Sequence, residues 1–479
     1  MTAFRFPAKK TRIVATIGPA TNSPERLEQL IEAGLNVARI NFAHGDLDGH
    51  RAVIQSLRAI ARRMGRRVAF MGDLPGPKMR IGKLRTEPIH LVRGAPFTLR
   101  VGDAVGDQHG ASMDFAGLAR AVKPGDNIFL NDGYVQLRVE RVDGDAVQTT
   151  VIAGGELRSH KGVNFPGIDL GISAFTEEDR SFLAFAAEQQ LEAVSQSFVA
   201  TAADLRELRN AARALGYDPM VIAKFERAGA LQHIDAILAE ADGIMVARGD
   251  LGVEIPIEEV AAVQKEIILR ARQAAKPVIT ATQMLESMVH NRRPTRAEVS
   301  DVTNAILDGS DAVMLSGETA IGDYPVETVE MMARIARVAE GMGRNGHLVR
   351  IMQAAADTQA ISLEDHVSLS MYLTAETMRP DLLFAVTATG GTARRLARFR
   401  LPGWLVAFSP DEATCQRLQF VSGIYTVHVP ETPPSWADFA RHWVQERQLD
   451  AGLGILTEGG GTLRSSGATR LEMIDLRHG

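Results

Sequence analysis

Several charged side chains in this sequence stand at the ends of short apolar segments, where a parallel sheet would gather them. Lys224 and Glu226 end one segment, Asp250 ends the next, and Arg39 ends an earlier one. Carboxylates on rigid strand ends suit Mg²⁺, which takes a few carboxylates together with phosphate and water oxygens. An ammonium beside a metal ion and an anion suits stabilisation of a transferring phosphoryl group. The alternative is that Lys224 and Glu226 only form ion pairs with other neighbours.

Further polar residues end or follow the remaining apolar segments, and so many at one rim argue against chance. They are Asn41, His44, Asp73, Lys78, Arg80, Ser197, Thr282, Gln283, Glu286, Ser287, Ser316 and Glu318. The string GDLG at 249–252 is typical either of a short helix whose N–H groups bind a substrate carboxylate or of a tight turn. This rim is therefore the predicted active site.

Eight repeats of a strand followed by a helix must position these residues. Apolar, β-branched segments predict strands at 12–18, 36–41, 68–74, 193–198, 220–226, 242–250, 277–283 and 312–318. Amphipathic helical stretches lie between most of them, as at 24–33, 50–64, 201–215 and 260–275. Eight such units predict a (β/α)8 TIM barrel, whose active site lies at the C-terminal ends of the strands.

Two further regions break this rhythm. Between about 78 and 163, Gly/Asp turns separate alternating segments, which predicts a small antiparallel β domain with strands at 88–92, 97–101, 127–130, 134–142 and 146–152. After about residue 345, an open α/β domain is predicted, with a helix at 366–378 and strands at 382–387, 404–408, 423–429, 453–457 and 471–476. The predicted limits are 1–76 and 173–345 for the barrel, 77–172 for the insert and 346–479 for the C-terminal domain.

The composition excludes several classes of protein. Lys and Arg number 53 against 58 Asp and Glu, and the net charge of -5 lacks the basic field of a nucleic-acid-binding protein. No run of about 18 apolar residues exists, so no membrane span is expected. Cys415 is the single cysteine, so an intrachain disulfide or a cysteine metal cluster is impossible. We expect a packing role for Cys415 and a reducing, cytoplasmic setting for the protein.

Six longer strings are specific enough to indicate a family. They are NVARINFAHG (36–45), KGVNFP (161–166), GIMVARGDLG (243–252), ATQMLESM (281–288), RPTRAE (293–298) and MLSGETA (314–320). In this order, and over nearly the whole chain, they resemble pyruvate kinase. The resemblance implies an α/β architecture with a TIM barrel, an inserted small β-barrel lid and a C-terminal open α/β domain. It also implies the reaction of phosphoenolpyruvate with ADP to give pyruvate and ATP.

The matching positions imply a role for each site residue. Glu226 and Asp250 correspond to ligands of Mg²⁺ or Mn²⁺, and Lys224 corresponds to the residue that stabilises the transferring phosphoryl group. Arg39 corresponds to the arginine that grips the substrate phosphate. The carboxylate is expected at the backbone of Gly249 and Asp250 and at Thr282. The enolate is expected to receive its proton near Thr282, Ser316 and Glu318. The nucleotide phosphates are expected at Asn41, His44, Arg80 and, after lid closure, Lys161.

Three positions depart from the commonest family pattern around a monovalent cation. Ala43 and Leu74 lack side-chain oxygens that help to hold K⁺ in many members, and Lys78 replaces a nearby glutamate that accompanies K⁺ dependence. The ammonium of Lys78 has the charge to take the electrostatic role of that cation. We therefore expect an enzyme that works without K⁺, with neutral drift at the rim as the alternative.

A Gly/Thr loop opens a helix in the C-terminal domain. A helix N-terminus favours phosphate, although Gly/Thr also makes an ordinary strand-to-helix turn. The loop resembles the family's effector site, which implies a possible anionic effector at Thr387, Thr389, Gly390 and Thr392. The segment 462–467 resembles the second loop of that site, and Arg394 and Arg464 could add charge. The family's usual homotetramer, with a subunit contact near 291–296, is also expected.

Two other functions stay open at the level of the sequence. Barrels that cleave C–C bonds of phosphoenolpyruvate- or pyruvate-like substrates also use Mg²⁺ held by Glu and Asp near an Arg. An inserted lid with Lys161 counts against this alternative, because such a lyase has no nucleotide to cover. A non-catalytic homologue would be expected to lose at least one of four residues, all of which are present: Lys224, Glu226, Asp250 and Thr282.

Overall fold

The computed structural model describes residues 4–168, 170–343, 346–358, 360–458 and 470–477. The chain begins with the expected alternation, as β1 (Arg12–Thr16), α1 (Pro24–Ala33), β2 (Val37–Asn41), α2 (Leu47–Arg63) and β3 (Ala69–Leu74). Helix α1 illustrates which local features make these residues form a helix. Ser23 caps its N-terminus, Gly34 ends it with a φ of 117°, and its buried face consists of Leu27, Leu30 and Ile31.

The lid follows β3. It contains β4 (Ile89–Leu91), β5 (Pro96–Val101), β6 (Gly110–Met113), α3 (Leu118–Ala121), β7 (Asn127–Leu130), β8 (Val135–Asp143), β9 (Ala146–Ala153), β10 (Gly155–Leu157) and β11 (Val163–Asn164). The main sheet has the order β11-β7-β8-β9-β5-β6, and a second sheet pairs β10 with β4. Bridges from Arg80 to Gly162 and from Ile81 to Met113 join the edges of the main sheet and close the β-barrel.

One pair of lid strands contradicts the prediction of an antiparallel domain. β5 and β6 run parallel, because the connection 102–109 returns the chain to the starting side before β6 begins. Alternation of apolar and polar residues has the same period of two in either strand direction. The sequence pattern predicted β5 but no strand at the position of β6, and it gave no information on a parallel pair.

The second part of the barrel restores the strand–helix rhythm. It contains α4 (Glu177–Glu188), β12 (Ala193–Gln196), α5 (Ala202–Ala214), β13 (Met220–Phe225), α6 (Ile234–Glu240), β14 (Gly243–Ala247), α7 (Arg248–Glu254), α8 (Val260–Gln273), β15 (Val278–Ala281), α9 (Arg296–Asp308), β16 (Ala312–Leu315), α10 (Gly317–Ala320) and α11 (Pro325–Gly341). Short 3₁₀ helices lie at Ala228–His233, Ile257–Glu259 and Glu286–Val289. The parallel strands close in the order β1-β16-β15-β14-β13-β12-β3-β2, which confirms the TIM barrel.

The C-terminal domain is the expected open α/β sheet. It contains α12 (His347–Asp357), α13 (Leu363–Met378), β17 (Leu382–Val386), α14 (Gly391–Ala397), β18 (Leu405–Ser409), α15 (Glu412–Arg417), β19 (Ile424–His428), α16 (Trp436–Glu446), β20 (Leu453–Glu458) and β21 (Arg470–Asp475). The strand order is β19-β18-β17-β20-β21, and only β21 is antiparallel to its neighbour. Cys415 in α15 is fully buried, and burial raises its pKa to about 12, so its packing environment holds a neutral thiol.

The lid and the C-terminal domain contact opposite ends of the barrel. Arg12, the first residue of β1, donates to the Val421 carbonyl at 2.8 Å, so the C-terminal domain lies at the N-terminal strand ends. On the other side, Arg227 after β13 donates to the Ile168 carbonyl of the lid at 2.9 Å. The predicted site therefore faces the lid. The domain limits at 76, 172 and 345 stay predictions. Within the described ranges, none of the helices has the length and apolar composition needed to cross a bilayer.

Candidate active site

The ammonium of Lys224 lies at the centre of the strand-end cluster. Lys224 and Glu226 are two residues apart, so β13 and the residue after it place both on one face. The Nζ atom lies 2.7 Å from Glu226 Oε1, 2.7 Å from Ser197 Oγ and 3.3 Å from Asp73 Oδ1. Burial alone would lower the pKa of Lys224, but Asp73 and Glu226 raise it above its ordinary value. The amine is therefore held as a charged ammonium.

Asp73, near the end of β3, joins Lys224 to Arg39. Its Oδ2 accepts a hydrogen bond from Arg39 Nε at 2.7 Å, and its Oδ1 accepts one from Ser195 Oγ at 2.6 Å. Arg39 also donates from Nη1 to Thr16 Oγ1 at 2.9 Å. Burial would raise the pKa of Asp73, but Lys224 and Arg39 hold it well below its usual range. The ionised carboxylate therefore fixes the directions of both cations.

Glu226 and Asp250 supply two carboxylates from adjacent strand ends. Glu226 is buried, and its Oε2 accepts the Phe198 N–H at 2.7 Å. Asp250 is half-buried in the first turn of α7, where burial and the charge of Glu226 raise its pKa. No group of three or more His, Cys, Asp or Glu that could hold a metal ion occurs among the described residues. Two carboxylates nevertheless fit Mg²⁺, which takes its other ligands from substrate phosphates and water.

The start of α7 is tied to Thr282. The strand predicted at 242–250 is wrong at its end, because β14 stops at Ala247 and Arg248 begins a short helix. The Gly249 N–H donates to Thr282 Oγ1 at 2.8 Å instead of joining the sheet. Thr282 has a φ of 66°, a left-handed conformation that is costly outside glycine and concentrates at functional sites. The structure thus brings together the residues expected at the carboxylate, Gly249, Asp250 and Thr282.

Ser316 and Glu318 follow β16. Glu318 is fully buried, and its Oε2 accepts the Ser316 N–H at 2.7 Å while its Oε1 accepts the Leu285 N–H at 3.2 Å. The hydroxyl of Ser316 is buried and has no hydrogen-bond partner in the part of the chain that the structure describes. A buried polar atom of this kind needs a partner, and a water molecule or a substrate atom would supply one.

The four residues expected at the nucleotide come from both barrel and lid. Asn41 ends β2, and His44 follows it in an exposed loop. Partial burial lowers the pKa of His44, and so do the charges of Lys78 and Arg80, which places the first lid residues close to this loop. Arg80 and Lys161 lie on the two paired segments that close the lid barrel. Among the contacts described, the Lys161 ammonium meets none of the other three residues.

The three residues that depart from the family pattern around a monovalent cation are Ala43, Leu74 and Lys78, and Lys78 is the one expected to take the role of the cation. Leu74 is buried and apolar, and Ala43 has no side-chain oxygen to offer. Partial burial and the charge of Lys224 lower the pKa of Lys78, while Asp73 raises it. The ammonium of Lys78 therefore lies in the electrostatic field of the cluster without belonging to its hydrogen-bond network as described.

The C-terminal Gly/Thr loop keeps its expected shape. Gly390, with a φ of 80°, precedes α14, and Arg394 Nη1 donates to the Thr389 carbonyl at 3.2 Å. The four residues predicted at the effector site lie between the end of β17 and the first turn of α14. They are Thr387, Thr389, Gly390 and Thr392. The segment 462–467, including Arg464, lies outside the described residues.

Three residues hold the cluster together, Asp73, Ser195 and Ser197; the sequence predicted Asp73 and Ser197 at the rim without these contacts, and it did not single out Ser195. Ser195 and Asp73 are register partners on the neighbouring strands β12 and β3. The available signal was the pair of serines, two residues apart, at the end of β12 and directly after it. With period-two alternation, those serines share one face of the strand.

Fold and site together define a TIM-barrel enzyme with a β lid and an α/β C-terminal domain, whose lid-facing strand ends gather two cations and several carboxylates. The family model for the pyruvate kinase barrel domain matches residues 8–329, and the model for the pyruvate kinase alpha/beta domain matches residues 365–469. The chain belongs to the pyruvate kinase family.

Similar proteins agree with this assignment. A pyruvate kinase of Thermococcus litoralis is 44% identical over 422 residues, which cover 88% of this chain and 89% of that protein. Pyruvate kinase 2 of Synechocystis is 41% identical over 477 residues, covering 98% of this chain and 79% of the relative. The crystal structure of a pyruvate kinase from Cryptosporidium parvum superposes with a TM-score of 0.88 at 31% identity, covering 97% of this chain and 96% of that one.

Proposed function

We propose that the chain transfers the phosphoryl group of phosphoenolpyruvate to ADP, with Mg²⁺ or Mn²⁺ as the divalent ion. The bond between phosphorus and the enol oxygen breaks, a bond to a β-phosphate oxygen of ADP forms, and the enolate takes a proton at carbon. The products are pyruvate and ATP. The observation that carries the proposal is the Lys224 ammonium, 2.7 Å from Glu226 at the lid-facing end of the barrel.

The two cations act on the phosphate in this proposal. Asp73 fixes the directions of Arg39 and Lys224 through contacts of 2.7 Å and 3.3 Å, so neither side chain has to reorganise when the substrate binds. Arg39 grips the phosphate, and Lys224 offers a point charge to the oxygens that share negative charge during transfer. Glu226 and Asp250 would hold the divalent ion, which neutralises charge on the phosphoryl oxygens when bound.

The carboxylate and the proton are handled on the other side of the cluster. The backbone of Gly249 and Asp250, with Thr282, binds the carboxylate of phosphoenolpyruvate. The enolate then receives its proton beside Thr282, through water near Ser316 and Glu318. The hydroxyl of Ser316, which lacks a partner among the described residues, supports this placement of the water.

The nucleotide lies between lid and barrel in this proposal. Its phosphates meet Asn41, His44, Arg80 and Lys161, and lid closure excludes water from the transfer. Lys78 takes the electrostatic role of a monovalent cation, so no K⁺ is required. The support is the position of Lys78 in the field of Asp73 and the apolar character of Leu74.

The proposal also includes an effector site, a compartment, domain limits and an oligomeric state. An anionic effector binds at Thr387, Thr389, Gly390 and Thr392, the chain acts in the cytoplasm, and the domains divide near residues 76, 172 and 345. The enzyme is a homotetramer, and the edge strand β21 supports this state because the exposed fractions of Leu471 and Met473 are 36% and 51%.

The two alternative functions predict different chemistry. A C–C lyase would form its products without ADP, and a non-catalytic homologue would form none. The lid approaches the barrel at α7, where a Cβ on Gly133 would lie 3.6 Å from Val253, so the lid stands where it can close over the cluster. A lid in this position is expected for an enzyme that encloses a nucleotide and is not needed by a C–C lyase.

A coupled assay of ATP formation from phosphoenolpyruvate and ADP tests the proposal. We expect activity that needs a divalent ion and falls about 10²- to 10³-fold in Lys224→Met, because a charge preorganised for the transition state is lost. The matched control is Lys265→Met, since the Lys265 side chain is 56% exposed on α8 and forms an ion pair with Asp308. Full activity of Lys224→Met, or equal losses in both variants, would refute the assigned role.

A further inference from the structure

The end of β12 contacts both connections through which the chain enters and leaves the lid. The outgoing connection passes Leu74 and Gly76, and the returning one passes Ala174. Gly76 packs so closely that a Cβ on it would lie 3.3 Å from Ser197 Cβ and 3.4 Å from the Ala174 carbonyl oxygen. We call this packed unit of Leu74, Gly76, Ala174, Gln196 and Ser197 the hinge contact.

Side-chain hydrogen bonds tie each connection to β12. Gln196 Nε2 donates to the Ala174 carbonyl at 2.6 Å, and Ser197 Oγ donates to the Leu74 carbonyl at 2.7 Å. Gln196 and Ser197 are both buried, so water does not compete for these bonds. The position of the lid connections is therefore linked to the end of one barrel strand.

Ser197 differs from the rest of the hinge contact because its hydroxyl also reaches the cluster. Lys224 Nζ donates to Ser197 Oγ at 2.7 Å. A serine hydroxyl has one hydrogen, and the Leu74 carbonyl takes it, so a lone pair is left for the ammonium. The neighbouring Phe198 N–H holds Glu226 at 2.7 Å. A displacement of the outgoing connection would therefore change the group that accepts from Lys224.

We propose that Ser197 is a positioning residue, which couples the lid connection at Leu74 to the direction of the Lys224 ammonium. This inference rests on the proposed function, because it requires Lys224 to act on the phosphoryl group. With the connection in place, the hydroxyl is locked and the ammonium has three fixed partners. With the connection displaced, the hydroxyl rotates and the ammonium is no longer aimed at the phosphate.

Substitutions of Ser197 separate coupling from packing. Ser197→Ala should lower kcat about 10- to 100-fold, because a buried hydrogen bond to a charged group is lost, while the KM for phosphoenolpyruvate changes less than about threefold. Ser197→Cys keeps the volume but bonds weakly, so it should lose as much as alanine does. Ser310→Ala is the matched control, since this buried hydroxyl bonds Thr280 Oγ1 at 2.7 Å at the far end of the barrel.

Hydrogen exchange of the peptide around Gly76 reports the hinge directly. Phosphoenolpyruvate with Mg²⁺ should slow this exchange in the wild type and leave it unchanged in Ser197→Ala and Ser197→Cys. The coupling would be overturned if either variant kept the full kcat of the wild type. It would also be overturned if phosphoenolpyruvate slowed hydrogen exchange around Gly76 equally in all three proteins. If Ser197→Ala does not fold, the kcat and the hydrogen exchange of Ser197→Cys, which is similar in size to the wild type, provide the test. A wild type without ATP formation would instead remove the proposed function, so the two failures are distinguishable.

Discussion

Replacement of Asp73 by asparagine should disturb the site more than any exposed substitution of similar size. Asp73 is buried and accepts from Arg39 Nε at 2.7 Å and Ser195 Oγ at 2.6 Å, and it lies 3.3 Å from Lys224. Asparagine keeps the shape but removes the charge, so two buried cations lose a counter-charge. Removal of one partner of a buried ion pair costs about 3–5 kcal/mol. Because the amide oxygen still accepts one hydrogen bond, we expect the lower value, about 3 kcal/mol.

Thermal denaturation and steady-state kinetics measure this loss. At about 2–4 °C per kcal/mol for a unit of 150–250 residues, the midpoint for the barrel should fall by roughly 6–12 °C. The KM for phosphoenolpyruvate should rise about tenfold, because Arg39 loses the group that orients it. The pKa of Asp73 is lowered in the folded protein, so its stabilisation is present above the ordinary aspartate pKa of about 3.9 and is lost as the pH falls through the lowered value. The difference in midpoint should therefore hold from pH 8 to about pH 5 and shrink below about pH 4.

Asp242→Asn is the matched control for this experiment. Asp242 pairs with Arg209 at 2.6 Å, but its side chain is 35% exposed at the other end of the barrel. Ion pairs in contact with water contribute about 0–1 kcal/mol, so this midpoint should move little. Equal midpoints for the two variants, together with an unchanged KM for phosphoenolpyruvate in Asp73→Asn, would contradict the role given to the buried carboxylate.

Two further predictions concern the rim and the lid. The wild type should have the same rate in buffers with and without K⁺. Lys78→Glu should become K⁺-dependent, because it exchanges a cation in the field of Asp73 for an anion. A many-fold rise of the wild-type rate on adding K⁺ would show that Lys78 does not replace the monovalent cation. Lys161→Ala should raise the KM for ADP about tenfold and leave the KM for phosphoenolpyruvate unchanged, since Lys161 lies on the segment that closes the lid; equal changes in both constants would show that Lys161 does not act on the nucleotide.

The architecture could be predicted because the barrel and the lid leave different local patterns. Strands of the barrel are apolar on both faces, as in β14, where every residue is buried, whereas β9 of the lid alternates between buried and half-buried residues. Errors occurred where tertiary contacts override the local pattern. β14 stops at Ala247, and the Gly249 N–H donates to Thr282, which directly follows β15, instead of joining the sheet. The direction of β6 relative to β5 likewise has no local signal.

The network around Lys224 could not be predicted, because it depends on which strands become neighbours. Ser195 faces Asp73 because β12 pairs with β3, although the lid separates these two strands in the sequence. The sequence shows the charged groups that do the chemistry, since charge at the end of an apolar segment is conspicuous. It does not show which charges the hydroxyls aim, since the partners of Ser195 and Ser197 lie on other strands. Loss of a buried hydroxyl such as Ser197 should therefore reduce activity more than loss of an exposed rim residue such as Gln283, although the sequence places both residues at the same rim.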